Sequence, residues 1–520
     1  MTPIALSSTS FRPPVPGPCP HPRRRRMRPG AVGLWLCVLT ATSSPAWAGH
    51  GRGQAAAFST VPSDLSLEPY LFRALDGQTV AAELGRLAVK ENRTVPGGQL
   101  IQVAFVRFKS TSSNPGPPMV YLEGGPGGSG IDAARGRLFA LFMALRETGD
   151  VIALDQRGTG MANPSLACPG AWGFPLGAPG DPGEMLVMAK ERSRACAQLW
   201  QGRGVDLAAY NTEESADDLE SLREALGVEK ISLLAHSYGT HLALAAIRRH
   251  PDSIARAVLA GVEGPDQTLK LPGNVQRTLM EIDRLAKADP AVAGAVPDFL
   301  SLVKATLDRL ERQPVAVDLT DATGQRVTVA VGRFDAQILT WLLLGSGRDI
   351  QGLPAMYYSM SRGDHAALAR LALSVRTWPI GSAMSFTMDC ASGVSPQRQT
   401  AIEGEKGQTL LGNVNFPYPE ICEAWGNPDL GDGFRAPVTS TVPTLFISGT
   451  LDGRTPISNA EEVQRGFASG AHLVIEGAGH DGLLLSSPQI KDVLLAFLKG
   501  LPPPITRITL SAFRFDPVRP

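Results

Sequence analysis

"LLAHSYGTHLAL", residues 233–244, runs as an apolar strand, stops at Ser237 and turns at once into a helical pattern. Two positions before the serine stands Ala235 and two positions after it Gly239, so the turn carries almost no side-chain bulk. A strand, a sharp turn holding a serine and an immediate helix make a nucleophile elbow, of general form G-x-S-x-G. Such a turn is strained and brings neighbouring backbones close, which is why the flanking positions must be nearly bare. It also sets Ser237 at the N-terminus of the helix "THLALAAIRRH", whose free N–H groups favour the negative charge that develops in acyl transfer. Taken alone, the pentapeptide also fits a plain serine helix cap, so its weight depends on partners elsewhere.

Around it, apolar runs of strand length alternate with helical patterns. Residues 100–108, 118–125, 150–158, 231–237, 255–264, 442–450 and 471–479 are strand candidates, several apolar throughout, as strands buried on both faces must be. "TEESADDLESLREALG" opens at a Thr212 N-cap with acids in its first turn and ends at Gly227, and "QIKDVLLAFLKG" makes a final helix. This alternation predicts an α/β fold with a mostly parallel central sheet and helices on both faces. It breaks between about 266 and 440, where "VQRTLMEIDRLAKA", "DFLSLVKATLDRLERQ" and "FDAQILTWLLLG" read as helices. We expect a core built from 49–265 and 441–520, with 266–440 inserted as a mainly helical cap before the strand that carries the acid. A cap there covers the strand ends where open α/β sheets hold their active sites.

In this architecture the serine's partners follow in the order acid, then histidine. "ISGTLDGRTP" delivers Asp452 just beyond a strand, and "LVIEGAGHDG" delivers His480 beyond the next. His472 is a rival base, but it begins its strand and so belongs to the opposite edge. Glu263, past "VLAGV", is the rival acid. "LEGGPGGSG", residues 122–130, supplies backbone N–H groups at Gly124 or Gly125 that join that of Tyr238 as an oxyanion hole. Gly125, Gly127 and Gly130 also fit the G-x-G-x-x-G of a dinucleotide loop, with Asp155 as the ribose acid. Pro126 argues against it, because proline removes a donor where phosphates need one.

At 520 residues and 43% hydrophobic side chains, the chain can bury a large core. Its net charge is zero, but six arginines precede residue 49, and setting them aside leaves 43 basic against 49 acidic residues, a net of −6. That excludes a nucleic-acid footprint. The arginines lead into "AVGLWLCVLTATSSPAWAGHG", a short apolar run ending in A-x-A, which predicts a signal peptide over 1–48 cleaved after Ala48, with Met27 an alternative start. The run is too short for a stable membrane anchor, so the chain is expected to be exported, either to a periplasm or out of the cell. Cys19 and Cys37 leave with the leader. Cys168, Cys196, Cys390 and Cys422 remain, an even number for an oxidising compartment. Three pairings are open, and sequence proximity favours Cys168 with Cys196 and Cys390 with Cys422. No Cys or His spacing calls for a metal.

The ordered motifs "EGGPGGSG", "LDQRGTG", "AHSYGT", "SGTLDGRTP" and "GAGHDG" resemble those of secreted α/β-hydrolase serine peptidases of the prolyl and tripeptidyl aminopeptidase group. The likeness runs from about Gly85 to Leu501, and the long insertion is closer to the tripeptidyl branch. It implies the α/β-hydrolase fold, Ser237 as nucleophile, Asp452 as acid, His480 as base, and the Gly124/Gly125 and Tyr238 amides as oxyanion hole. It also implies carboxylates that hold the substrate's free amino group, for which Glu263, Asp389 and Glu420 are candidates. Glu123 stands where prolyl aminopeptidases usually carry histidine, and Ala235 replaces the elbow's first glycine. Asp155 and Arg157 read as a structural pair bracing the adjacent loop.

The chemistry these residues predict is acyl transfer through a serine ester, needing neither metal nor organic cofactor. The substrate is expected to be a peptide cut near its N-terminus, releasing proline or a tripeptide. An esterase or amidase acting on small acyl compounds uses the same triad, and a silent binding protein on this fold is the reading from another class.

Overall fold

The structure, a computed structural model, describes residues 64–518; the leader expected over 1–48, with Ala48, Met27, Cys19 and Cys37, lies outside them. Twelve strands follow in chain order: β1 (Leu65–Arg73), β2 (Thr79–Lys90), β3 (Leu100–Phe108), β4 (Met119–Leu122), β5 (Val151–Asp155), β6 (Ile231–His236), β7 (Ile254–Ala260), β8 (Val315–Thr320), β9 (Arg326–Val331), β10 (Thr444–Gly449), β11 (Gly470–Glu476) and β12 (Arg507–Thr509). Ten of these form one sheet in the order β1-β2-β3-β5-β4-β6-β7-β10-β11-β12. From β5 to β12 every neighbouring pair is parallel, while β1, β2 and β3 join antiparallel at one edge.

The central strands β4, β5, β6 and β10 are buried at every position, the price of having helices on both faces, and they are the runs that hydropathy marks most clearly. Each sequence-expected strand falls on an observed one. β1 escaped because it is the edge strand and exposes most of its length, and β2 because its buried positions are interrupted by half-buried ones. Two hydrophobic layers flank the sheet, one of them including Leu122, Leu233 and Leu242, the other Tyr121, Leu234 and Leu494.

Between β7 and β10 the chain is mainly helical, as expected, with helices at Pro272–Ala288, Phe299–Arg312, Arg333–Leu343, Gly347–Ser361, Ala366–Arg376, Ala383–Ser392 and Pro396–Lys406. It also holds a hairpin the sequence reading did not include, β8 paired antiparallel with β9. This segment packs its own third hydrophobic layer, centred on residues such as Leu279, Phe299 and Tyr357.

Two details differ from expectation. The helix expected to be capped by Thr212 starts one residue earlier, over Thr212–Ala225, and its cap is Asn211, whose side chain accepts the Glu214 N–H. Both residues can cap; Thr212 instead bonds the Tyr238 hydroxyl across 3.0 Å. Asp155 and Arg157 do not pair with each other. Asp155 accepts from Ser129 Oγ, Ile131 N–H and Met161 N–H, which ties down the start of the loop after β4 and leaves no free carboxylate for a ribose. The Arg157 guanidinium, fully buried, is bidentate to Asp218 at 2.8 and 2.7 Å. It also donates to the Glu91 and Ala209 carbonyls.

Disulfides join Cys168 to Cys196 and Cys390 to Cys422. Among the described residues no helix is long and apolar enough to cross a membrane.

Candidate active site

At the end of β6 the chain adopts φ 56° and ψ −128° at Ser237, the one non-glycine with positive φ among the described residues. Such strain persists only where surroundings over-determine it. Here Ser237 N–H donates to Ala260 O at 2.9 Å, and Thr240 Oγ1 donates to Ser237 O at 2.7 Å. The following helix, Tyr238–Arg249, packs so closely on β4 that a Cβ on Gly239 would lie 2.1 Å from Leu122 O. Ala235, in the customary glycine position, is fully buried.

Asp452 and His480 leave neighbouring parallel strands, β10 and β11, at the same edge, and they meet: His480 Nδ1 lies 2.9 Å from Asp452 Oδ2. The carboxylate is held by three further donors. Its Oδ1 accepts the N–H groups of Arg454 and Thr455, each at 2.8 Å, and its Oδ2 accepts Thr455 Oγ1 at 2.7 Å. Burial pushes the Asp452 carboxyl up, but His480 and the Thr455 bonds outweigh this and hold it below the usual range. Burial pushes the His480 imidazole down, and Asp452, pulling the other way, restores only part of the difference. Thr455 was not singled out in the sequence, although its place three residues after an acid in a turn was a usable sign. The rivals are engaged otherwise: His472 bonds Ser448 Oγ within the sheet, and Glu263 pairs with Lys270.

The loop after β4 comes down on the elbow. A Cβ on Gly124 would lie 2.7 Å from Ser237 Cβ and 2.9 Å from His236 O, so only glycine allows that approach. Gly124 N–H donates to Glu123 Oε1 at 2.9 Å, whereas the Gly125 N–H has no acceptor among the described residues. Of the two candidates, Gly125 therefore keeps a free donor. Glu123 is held by Tyr121 Oη and Arg137, each at 3.0 Å, with His236 Nδ1 at 3.7 Å. Burial raises its carboxyl, but His236, Arg137 and the Gly124 N–H more than compensate, and it falls to about 2. His236 reaches on to the His480 carbonyl at 3.0 Å.

Ser237, His480, Gly124 and Gly125 line one cavity of about 450 Å3, roofed by Leu269, Lys270, Trp341, Asp389, Asn415, Phe416 and Tyr418. Of the three acids proposed for a substrate amino group, Glu263 and Asp389 line it and Glu420 does not. Glu420 sits exposed in the 3-10 helix Glu420–Ala424, where no apolar roof holds it over the site. Glu263 is neutralised by Lys270 Nζ, which also donates to Gln267 O at 3.0 Å. Asp389 has no cationic partner among the described residues. Burial first, and the Glu263 charge second, push its carboxyl well above the usual range, against Lys270 and a hydrogen bond from Tyr418. Among the described residues no cluster of His, Cys, Asp and Glu could hold a metal.

Two family models match: the α/β hydrolase fold over residues 117–313 and the TAP-like protein over 408–505. Serine protease Hip1 of Mycobacterium tuberculosis (strain ATCC 25618 / H37Rv) is 30% identical over 458 residues, covering 80% of this chain and 85% of that one. The putative hydrolase YuaR of Escherichia coli (strain K12) is 26% identical over 413 residues, 73% of this chain and 77% of that. Tripeptidyl aminopeptidase of Streptomyces lividans is 29% identical over 198 residues, 36% of each. With an elbow serine, an Asp–His pair at adjoining strand ends and these relatives, the chain belongs to the TAP-like family of α/β-hydrolase serine peptidases.

Proposed function

We propose that this serine hydrolase is an exported aminopeptidase that releases proline or short, tripeptide-sized N-terminal units. Ser237 Oγ attacks the scissile carbonyl while His480 Nε2, the ring nitrogen not engaged by Asp452, takes its proton. Asp452 holds the imidazole tautomer and stabilises the imidazolium. The oxyanion forms against the N–H groups of Gly125 and Tyr238. His480 returns the proton to the leaving nitrogen, and water, activated by the same imidazole, then frees the acyl group from Ser237. A core of 49–265 and 441–520 carries this chemistry under a cap spanning 266–440.

One observation carries the aminopeptidase reading: a roofed cavity holds both the reacting groups and Asp389, a carboxyl without a counter-cation. Its raised pKa means that ionisation there is unfavourable until a cation arrives, and a substrate ammonium supplies one. Export is supported by the leader in the sequence and by the two disulfides.

The test compares tripeptidyl and prolyl arylamides with and without N-terminal acetylation, alongside short acyl esters, with an organophosphonate titrating Ser237. Acetylation is expected to lower kcat/KM by about tenfold or more, the worth of a charged hydrogen bond, and Asp389→Asn to remove most of that discrimination through KM. Turnover indifferent to acetylation overturns the reading in favour of an esterase or amidase.

A further inference from the structure

The same cavity that Asp389 lines also holds an arginine that forms no ion pair among the described residues. Arg454 lines the cavity beside Thr455 and His480. Its guanidinium carbon lies over the Trp341 ring, 3.9 Å from the centroid, and the group donates to the Leu342 carbonyl at 3.1 Å. Asp452, next in the turn, is saturated by His480, by Thr455 and by Arg454's own backbone N–H. Burial lowers the guanidinium to about 10, with Asp452 opposing, which leaves it charged at neutral pH. Trp341 also lines the cavity, and its indole N–H is buried with no acceptor. Buried donors without partners are rare in native proteins and call for a ligand or water. That orphaned indole N–H, beside a guanidinium that stacks on the same ring and has no ion-pair partner among the described residues, makes a receptor for an anion.

The chemistry of the reaction says which half of a substrate reaches it. The acyl oxygen is held by the loop after β4, and that loop packs on the Ala383–Ser392 helix, where a Cβ on Gly127 would collide with Ser385 Oγ. Asp389 is on that helix. The leaving nitrogen must instead meet His480. The loops carrying Asp452 and His480 are held by the segment from the Arg333–Leu343 helix into the Gly347–Ser361 helix. Gly453 N–H donates to Leu344 O at 3.3 Å and Gly347 N–H to Asp481 Oδ1 at 3.1 Å. Trp341 and Arg454 therefore border the leaving half.

We propose that Arg454, stacked on Trp341, binds a carboxylate on the leaving half of the substrate, so that this site prefers short peptides whose C-terminus, or an acidic side chain, follows the scissile bond closely. The site rests on the serine-hydrolase reading, not on the identity of the acyl half. It makes the cavity bipolar, with an ammonium-seeking end at Asp389 and a carboxylate-seeking end at Arg454.

The experiment measures kcat/KM for matched pairs on the full enzyme. One pair is a peptide with a free or amidated C-terminus one residue past the cleaved bond. A second carries Asp or Asn at that residue with the C-terminus amidated. A third, needing no peptide recognition, is an ester of 3-hydroxybenzoate against one of 3-hydroxybenzamide. The wild type is expected to favour at least one carboxylate member by about tenfold to a hundredfold, mostly in KM. The first pair reports an α-carboxylate and the second a side chain. Arg454→Gln should bring the ratio close to one, and Arg454→Lys should keep part of it. Because each ratio is taken within one protein, partial loss of fold cancels; if Arg454→Gln does not fold, Arg454→Lys and Trp341→Phe carry the same readout. Ratios near one in all three pairs for the wild type, or a ratio unchanged by Arg454→Gln, overturn the proposal. A carboxylate preference that survives while acetylation has no effect would remove the aminopeptidase reading and leave this site standing; sensitivity to acetylation without any carboxylate preference would do the reverse.

Discussion

Gly239→Ala is the smallest change that tests whether the elbow's geometry, and not merely its serine, is required. An alanine Cβ at 239 would lie 2.1 Å from Leu122 O and 3.2 Å from Glu123 O, whereas real Cβ contacts begin near 3.0 Å. The Tyr238–Arg249 helix must therefore retreat from β4 by about 1 Å, since the Leu122 carbonyl cannot turn away at the end of a fully buried strand. Overpacking of this kind costs roughly 1–3 kcal/mol of stability, which a protein with a core this large and two disulfides should survive. Activity is less tolerant. Ser237 and the Tyr238 N–H both ride on the first turn of that helix, and a misplacement of about 1 Å costs on the order of a hundredfold in rate. Burst titration with an organophosphonate counts folded, reactive serines, and kcat per titrated site then isolates geometry from yield. Ala235→Gly, which removes bulk at the mirror position, serves as the control and should stay within a few-fold of wild type. If Gly239→Ala keeps kcat within threefold of wild type while folded, the close approach of helix and strand is not what positions the site, and the reasoning fails.

The pH profile follows from His480. The imidazole must be neutral to take the serine proton, so kcat/KM should rise with pH through the free-enzyme pKa of His480. That pKa lies below the ordinary 6.5 because burial outweighs Asp452. Asp452→Asn removes the opposing charge, so the acid limb should move lower still while kcat falls by about 10,000-fold; an acid limb above pH 7 in the wild type would contradict the assignment. Arg157→Met should lower unfolding free energy in urea by about 3–5 kcal/mol, because Asp218 is left buried with half of its cationic partnership gone. A loss under 1 kcal/mol would mean that Arg93, which also reaches Asp218 at 2.8 Å, suffices alone.

The sheet and the positions of Ser237, Asp452 and His480 were legible because each depends on chemistry compressed into a few residues. Strands buried on both faces leave unbroken apolar runs, and each of the three residues stands just past one such run. Parallel β10 and β11 then bring Asp452 and His480 to one edge without any long-range information. Where a residue's meaning is set by a distant partner, the sequence is silent. Glu263 looked like a free acid until Lys270 turned back on it, and Asp389 gained its character from burial and from the charge of Glu263, which a separate stretch of chain brings to the same cavity. Glu420, chemically equal to both, is exposed. Arg157 stood two residues from Asp155 but found its carboxylate on the Thr212–Ala225 helix.

This division has a physical cause. The reaction needs its groups within hydrogen-bond reach, so its residues sit at strand ends that a regular sheet aligns automatically. On the proposed reading, selectivity uses one charge near the acyl half and one near the leaving half, and an inserted layer can roof both. Asp389 and Trp341 come from helices of that layer, while Arg454 comes from the acid's own turn. Trp341 thus joins the roof to the machinery below it. On this proposal a substitution in the roof at Trp341 is felt through Arg454 in the leaving half, and one at Asp389 in the acyl half, with the two effects on kcat/KM adding because Arg454 and Asp389 share no partner.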